Sequence, residues 1–108
     1  MKRGEVWWVA FDPAVGSEIQ KTRPAVIISN DAANRNLARV VVVPLTSNTD
    51  RVYPGEALVS VAGKAGKVMA DQIMAADKTR LKSQIGAVAK ADMVAIEGAI
   101  LMHLGMPR

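Results

Sequence analysis

Residues 39–45, RVVVVPL, are the stretch of this 108-residue chain that decides its fold. Four consecutive valines favour a strand, because β-branched side chains pack well on a pleated surface. The run is apolar without alternation, which indicates a strand that is buried on both faces. We therefore predict that Arg39–Leu45 is the central strand of a sheet, with shorter strands formed by the sequence before and after it.

The flanking sequence carries these shorter strand signals, separated by turn residues. Glu5–Phe11 is rich in Val and Trp and ends at Asp12-Pro13, where proline cannot donate to a ladder. A polar loop follows over 14–22, and Asn30–Asn36 has the composition of turns and short helical connectors. The other predicted strands are Pro24–Ser29, Glu56–Val61 and Lys67–Met74, with a tight connection at Gly63–Gly66 and a short helical turn and strand over Thr79–Ile85.

A helix is predicted over Ala91–Leu104. Apolar residues recur there at three- and four-residue spacing and form one stripe, consisting of Met93, Ile96, Ile100 and Leu104. Gly105 and Pro107 end the helix. The sequence therefore predicts a single domain over 1–108, mainly β with a C-terminal helix (α+β): a small, mostly antiparallel, partly open barrel with the helix covering one end.

The residue inventory excludes several kinds of site. The chain has no cysteine and one histidine, His103. A disulfide scaffold, a thiolate zinc site, cysteine catalysis and a multi-histidine metal site are therefore ruled out. We expect neither a metal nor another cofactor. His103 lies near the predicted end of the helix, where a cation is favoured, so we interpret it as structural.

The net charge of +4 is concentrated in one segment. Residues 63–90 hold six lysines and arginines against two aspartates. This pattern is typical of a protein that binds a polyanion such as nucleic acid, although a solvated lysine face would look the same. The longest apolar run is too short to cross a bilayer, and the start MKRGEVWW lacks a signal-peptide core. We therefore expect a cytoplasmic protein that is not in a membrane.

Three polar residues at strand ends are candidates for chemistry. Arg23 precedes an apolar strand, so its guanidinium would be held at the barrel rim, where it suits a phosphate. Thr46 follows the central strand, and its hydroxyl can donate to an oxyanion or cap the next turn. Glu18 can act as a base or orient Arg23. The alternative is an ordinary surface pair between Arg23 and Glu18.

Other polar and aromatic residues leave two interpretations open. Asp71 and Gln72 interrupt an apolar segment, so they serve either as structural hydrogen-bond partners or in base recognition. Ser47 and Asn48 share the ambiguity of Thr46. Trp7 and Trp8 are adjacent in a strand and must face opposite sides; we interpret one as core and the other as part of an interface.

Six segments in order resemble one protein family. They are RGEVWWVAFDP (3–13), GSEIQKTRPAVIISND (16–31), VVVPLTS (41–47), ADQI (70–73), DKTRL (77–81) and DMVAIEGAI (92–100). Together they resemble the MazF/PemK/Kid toxins of bacterial toxin–antitoxin modules, which are sequence-specific endoribonucleases, or mRNA interferases. The resemblance runs through nearly the whole chain.

The resemblance implies a fold and partners. The fold is an SH3-like barrel of the PemK/CcdB-like toxin type, assembled as a homodimer. Single-stranded RNA is bound in a groove along the dimer face and cut without metal, and a cognate MazE-like antitoxin inhibits the toxin. We expect that antitoxin to use an acidic, extended segment, which would mimic the phosphate backbone against a basic surface.

The resemblance also assigns site residues. Arg23 and Thr46 correspond to the catalytic arginine and threonine, and Glu18 is implicated with them. One branch of the family uses a histidine where Ser17 stands and an arginine where Met69 stands, together with an aspartate that is kept here as Asp71, so this sequence favours the Arg23/Thr46 scheme. The candidates for RNA binding are Lys21, Ser47, Asn48, Asp71, Gln72 and the basic stretch 63–90.

In the reaction that these residue types suit, the 2′-OH of the RNA attacks the adjacent phosphorus and leaves a 2′,3′-cyclic phosphate and a 5′-OH. Two alternatives remain. One is a non-catalytic toxin of the same architecture that poisons DNA gyrase through a C-terminal aromatic region, but this chain ends LGMPR (104–108) without an aromatic residue. The other is a plain RNA-binding module.

Overall fold

The computed structural model describes residues 1–107. They form seven strands, two α-helices and two short 3₁₀ turns. The strands are β1 (Glu5–Ala10), β2 (Thr22–Ile27), β3 (Arg39–Thr46), β4 (Glu56–Val61), β5 (Lys64–Met69), β6 (Met74–Asp77) and β7 (Leu81–Ala87). The helices are α1 (Asp31–Asn36) and α2 (Lys90–His103), and the 3₁₀ turns are Ala70–Gln72 and Lys78–Arg80. The predicted mainly β architecture with a C-terminal helix is confirmed.

The central position of β3 is also confirmed. The strands follow the order β4-β5-β3-β2-β1-β7 in one curled antiparallel sheet, and β6 pairs with the first half of β3. Along the edge of β3 that faces away from β2, the strand pairs with β6 up to Val42 and with β5 from Leu45 onward. Pro44 lies between these two pairings, fully buried opposite Ala25 of β2. A proline is tolerated there because no neighbouring strand needs its missing N–H on that edge.

Both faces of the central strands are buried, as the unalternating apolar run predicts. Val42 belongs to one hydrophobic cluster and its neighbour Val43 to another, and because successive side chains point to opposite faces, the two clusters lie on opposite faces of the sheet. Helix α2 covers the second cluster with Ile96, which is fully buried and contributes on the order of 2 kcal/mol through burial alone. Ile19 from the 14–21 loop packs against the first cluster.

Two predictions around residue 65 are wrong. Lys67–Met74 is not one strand, because β5 ends at Met69 and the chain turns through a 3₁₀ turn at Ala70–Gln72 before β6. The turn lets β5 pair with the end of β3 while β6 pairs with its start. The connection before β5 is also shorter than Gly63–Gly66: it is a two-residue hairpin of Ala62 and Gly63, both with positive φ, which matches the twist of paired strands.

The predicted helix stripe is confirmed for three of its four residues. Ile96 is buried, and Met93 and Ile100 pack against the same cluster. Leu104 is exposed beyond the last helical residue, His103. Of residues 1–107, no helix is both long and apolar enough to cross a membrane.

The DKTRL segment (77–81) has a structural explanation in the fold. The backbone amide and the hydroxyl of Thr79 both donate to the Asp77 carboxylate, which lowers the pKa of that carboxyl below its usual value. Arg80 donates from Nη1 to the carbonyl oxygens of Ala10 and Asp12, 2.9 Å from each. The segment therefore caps a 3₁₀ turn and ties it to the end of β1.

Candidate active site

Strands β2 and β3 bring Arg23 and Thr46 together. Ala25 pairs with Pro44, and two residues further along this antiparallel register are Arg23 and Thr46. Positions opposite each other across a strand pair share a face of the sheet. Arg23 lies inside β2, which begins at Thr22 and not at Pro24 as predicted. The strand pair therefore holds the guanidinium and the hydroxyl on one face.

A cleft of about 390 Å³ opens beside this pair. Arg23, Thr46 and Ser47 contribute to its lining, and Lys64 of the β4–β5 hairpin adds a second cation. Since side chains alternate along a strand, Arg23 and Thr46 lie on the face opposite Pro24 and Leu45. Arg23 and Thr46 line the cleft together with apolar residues such as Trp8, Pro24 and Leu45.

The hydrogen bonds of the pair leave both groups able to bind an anion. Arg23 is exposed, and its Nε donates to the carbonyl oxygen of Gln20 at 3.3 Å. Thr46 Oγ1 accepts from the amide of Asn48 at 3.2 Å, which leaves its own O–H free to donate. Within residues 1–107, the ion pairs join Met1 to Glu5, Arg3 to Glu97 and Lys67 to Glu56. The alternative of a surface pair between Arg23 and Glu18 is therefore wrong.

Glu18 lies apart from Arg23. Its carboxylate accepts from the amide of Val15 at 2.8 Å, within its own loop. It lines a second cleft, of about 260 Å³, together with Asp71, Gln72 and Arg80. Gln72 accepts from the amide of Ile19 at 3.1 Å, so the 70–72 turn holds the 14–21 loop in place. The structure thus groups Glu18 with Asp71 and Gln72, and Arg23 with Thr46.

The remaining predicted RNA-binding residues lie in the two loops that border the pair. Lys21 is exposed in a left-handed conformation with φ 68°, and its amide donates to Asp12. Ser47 and Asn48 are exposed immediately after Thr46, and Asn48 Oδ1 accepts from the amide of Asp50. These loops present polar groups on both sides of Arg23 and Thr46.

Two neighbours of the site were not singled out from the sequence. The sequence places Lys64 only within the basic stretch 63–90, because the orientation of its side chain cannot be predicted from a position in the connection Gly63–Gly66. The sequence did not indicate which tryptophan is exposed; it is Trp8, which lines the first cleft and is 41% exposed. Trp7 on the other face is part-buried against the first core cluster, so the predicted contrast of one core and one exposed tryptophan is confirmed, and the interface role stays a prediction. In the described part of the chain, no three His, Asp or Glu side chains are grouped so that they could hold a metal ion.

Comparison with known proteins gives consistent matches. Residues 2–104 match the family described as PemK-like, MazF-like toxin of type II toxin–antitoxin system. The chain is 41% identical to endoribonuclease MazF9 of Mycobacterium tuberculosis, over 98% of this chain and 98% of that protein. It is 33% identical to the endoribonuclease toxin MazF of Escherichia coli K12, over 94% of this chain and 92% of that protein.

Solved structures match over the same extent. An endoribonuclease from a mycobacterial species, in complex with its cognate antitoxin, superposes with a TM-score of 0.83 at 32% identity, covering 100% of this chain and 98% of that one. MazF from Deinococcus radiodurans superposes with a TM-score of 0.87 at 28% identity, covering 98% of this chain and 97% of that one.

Proposed function

The chain belongs to the PemK-like, MazF-like toxins of type II toxin–antitoxin systems, and on that premise we propose that it cleaves single-stranded RNA by internal attack of a 2′-OH. The observation that carries the proposal is that Arg23 and Thr46 line the same cleft, with Arg23 in none of the ion pairs of residues 1–107. An exposed guanidinium beside a free hydroxyl is suited to a phosphodiester, whose charge grows as the reaction proceeds.

Arg23 and Thr46 have distinct roles in this proposal. As the 2′-OH forms a bond to phosphorus and the bond to the 5′ oxygen breaks, Arg23 stabilises charge on the phosphoryl oxygens. Thr46 donates its O–H to a non-bridging oxygen. Water protonates the departing 5′ oxygen, so the products are a 2′,3′-cyclic phosphate and a 5′-OH.

Glu18 is proposed as the general base that takes the 2′-OH proton. In this structure its carboxylate accepts from the amide of Val15, and Arg23 Nε donates to the carbonyl oxygen of Gln20, so the two side chains have separate partners. To act as base it must leave the Val15 amide and come within hydrogen-bond reach of the 2′-OH. Lys21, Ser47, Asn48, Asp71 and Gln72 are the residues that we propose to contact the RNA on either side of the cut.

No metal is required in this scheme. Cysteine and histidine are strong metal ligands, and the chain has no cysteine and one histidine. The substrate supplies its own nucleophile, the 2′-OH. The proposed partners are the RNA and a cognate antitoxin with an acidic segment, the latter supported by the related structure that was solved with its antitoxin. An mRNA substrate places the proposed activity in the cytoplasm.

Cleavage of RNA by the purified chain tests this function. The protein is incubated with a long single-stranded RNA in EDTA, and the 5′ ends of the fragments are sequenced. We expect 5′-OH ends at a short recurring motif. A contaminating ribonuclease would cut throughout the RNA, and an intact RNA would show that the chain is not an endoribonuclease on this substrate.

We also propose a homodimer, and its mass is a second test. Val94, Met102 and Leu104 expose apolar side chains on and after α2, and exposed apolar patches mark protein interfaces. Two-fold dimers are the commonest assemblies. Sedimentation at micromolar concentration should give about twice the 11.5 kDa of one chain. A single 11.5 kDa species would contradict the homodimer.

A further inference from the structure

The 47–55 loop is fastened to the sheet by a buried lysine. Lys67 of β5 pairs with Thr46 of β3, and it lies on the face opposite its core neighbour Val68. Lys67 is nevertheless only 7% exposed, because the loop covers it. Its Nζ donates to the carbonyl oxygen of Arg51 at 2.7 Å and lies 3.3 Å from the Glu56 carboxylate.

The packing around β5 does not require a lysine at position 67. Leu58, the partner of Lys67 on β4, is 53% exposed on the same face, so the face itself is open to solvent. Burying a charged pair is costly, and an apolar residue of similar size is often equally stable or more stable. The ammonium group of Lys67 instead binds two specific oxygens, the carbonyl oxygen of Arg51 in the loop and the carboxylate of Glu56 at the start of β4, and so fixes the end of the loop relative to Thr46.

The same network continues to an exposed arginine and tyrosine. Glu56 also accepts from the Tyr53 amide at 2.8 Å, and the Glu56 amide donates to the Tyr53 carbonyl oxygen. Arg51 Nη1 donates to the Tyr53 hydroxyl at 3.1 Å, and the guanidinium carbon is 5.9 Å from the ring centroid. Tyr53 is 54% exposed, so it has ring surface available to a ligand.

We propose that Arg51 and Tyr53 form a subsite for one unpaired nucleotide of the RNA, and that Lys67 is the positioning residue that holds this subsite at a fixed place relative to Thr46. This inference rests on the proposed function. An exposed aromatic ring binds a base by stacking, and the adjacent guanidinium donates hydrogen bonds to its phosphate. Neither residue is needed for the chemistry at Arg23, so the subsite acts on binding.

Binding of an uncleavable RNA tests the subsite directly. The probe is a fluorescent RNA that contains the cleaved motif with a 2′-deoxy nucleotide at the cut, and its Kd is measured by anisotropy. Tyr53→Ala should weaken binding by about tenfold, the loss of one stacked base. Tyr53→Phe keeps the ring and should bind like the wild type. An abasic nucleotide at one position should weaken wild-type binding equally and leave Tyr53→Ala unchanged.

Lys67 is tested by kinetics and by a double-mutant cycle. Lys67→Met should raise KM several-fold while kcat at saturating RNA changes less than twofold, and Lys67→Arg should restore much of the loss because a guanidinium can reach the same two oxygens. Combined with Tyr53→Ala, Lys67→Met should add little, since both act through one subsite. Thermal melting of each variant verifies that it is folded.

Several results would overturn the inference. If Tyr53→Ala binds the probe as the wild type does, there is no stacking subsite. If the losses from Lys67→Met and Tyr53→Ala add fully, or if Lys67→Met lowers kcat instead, Lys67 does not act through Tyr53. If the wild type neither binds nor cuts RNA, it is the proposed function that fails, and a peptide partner for Arg51 and Tyr53 takes its place.

Discussion

Replacing Arg23 with alanine is expected to lower kcat for RNA cleavage by about 10²- to 10³-fold, the usual effect of removing one group that stabilises charge in a transition state. KM should change much less, because the charge that Arg23 meets grows during the reaction. Within residues 1–107 no carboxylate pairs with Arg23, so the substitution leaves no acidic partner unpaired and the fold should be retained. Single-turnover rates at saturating RNA measure the effect.

Two variants make this result specific. Arg23→Lys should recover little of the rate, because an ammonium lacks the planar fork that bonds two phosphoryl oxygens at once. Arg35→Ala is the matched control, because it removes an exposed arginine from α1. This helix precedes the start of β3, whereas Thr46 lies at the end of that strand, so the variant should cut RNA at the wild-type rate. Equal losses in Arg23→Ala and Arg35→Ala would mean that only net charge matters.

A single 2′-deoxy nucleotide on the 5′ side of the cut should abolish cleavage and leave binding largely intact. The reason is that the 2′-OH is the proposed nucleophile, and no residue among those proposed for the site replaces it. Cleavage of the matched all-ribose RNA should proceed in EDTA at the rate seen without it. Gel analysis of both RNAs and anisotropy of the deoxy RNA measure the two effects.

The opposite outcomes would each dismiss the mechanism. If the deoxy RNA is cut at the same bond, the nucleophile is water or a side chain. If EDTA stops cleavage of the all-ribose RNA, a metal takes part. In either case Arg23, Thr46 and Glu18 lose the roles proposed for them, although the membership of the chain in its family is unaffected.

The elements that the sequence predicts well are those whose signal is local. Three of the four valines at 40–43 are buried and Val41 is half-buried, so β3 could be placed from composition alone. The spacing of Met93, Ile96 and Ile100 likewise defines α2 without tertiary information. Arg23 and Thr46 were found because each adjoins such a strand, and the resemblance identified the pair.

The elements that it predicts poorly depend on distant contacts. Residues 67–74 have the composition of one strand, and the break at Ala70–Gln72 arises because β5 and β6 pair with different halves of β3. The hydrogen-bond partner of Glu18 could not be predicted from the sequence either. Charge favours an ion pair with Arg23, but the conformation of the loop brings the amide of Val15 to the Glu18 carboxylate instead. The Lys67–Glu56 ion pair could not be predicted from the sequence, because it forms where the 47–55 loop folds over an otherwise exposed face of the sheet.

Because Trp7 and Trp8 have opposite orientations, their fluorescence reports on different parts of the molecule. Trp7 is part-buried and donates its indole N–H to Glu5, whereas Trp8 is exposed in the lining of the first cleft. The two indoles therefore differ in polarity and in access to quenchers, although they are adjacent in the chain. A Trp7→Phe variant would carry one tryptophan, in the cleft itself, and the emission of that tryptophan would follow occupancy of the cleft without an attached label.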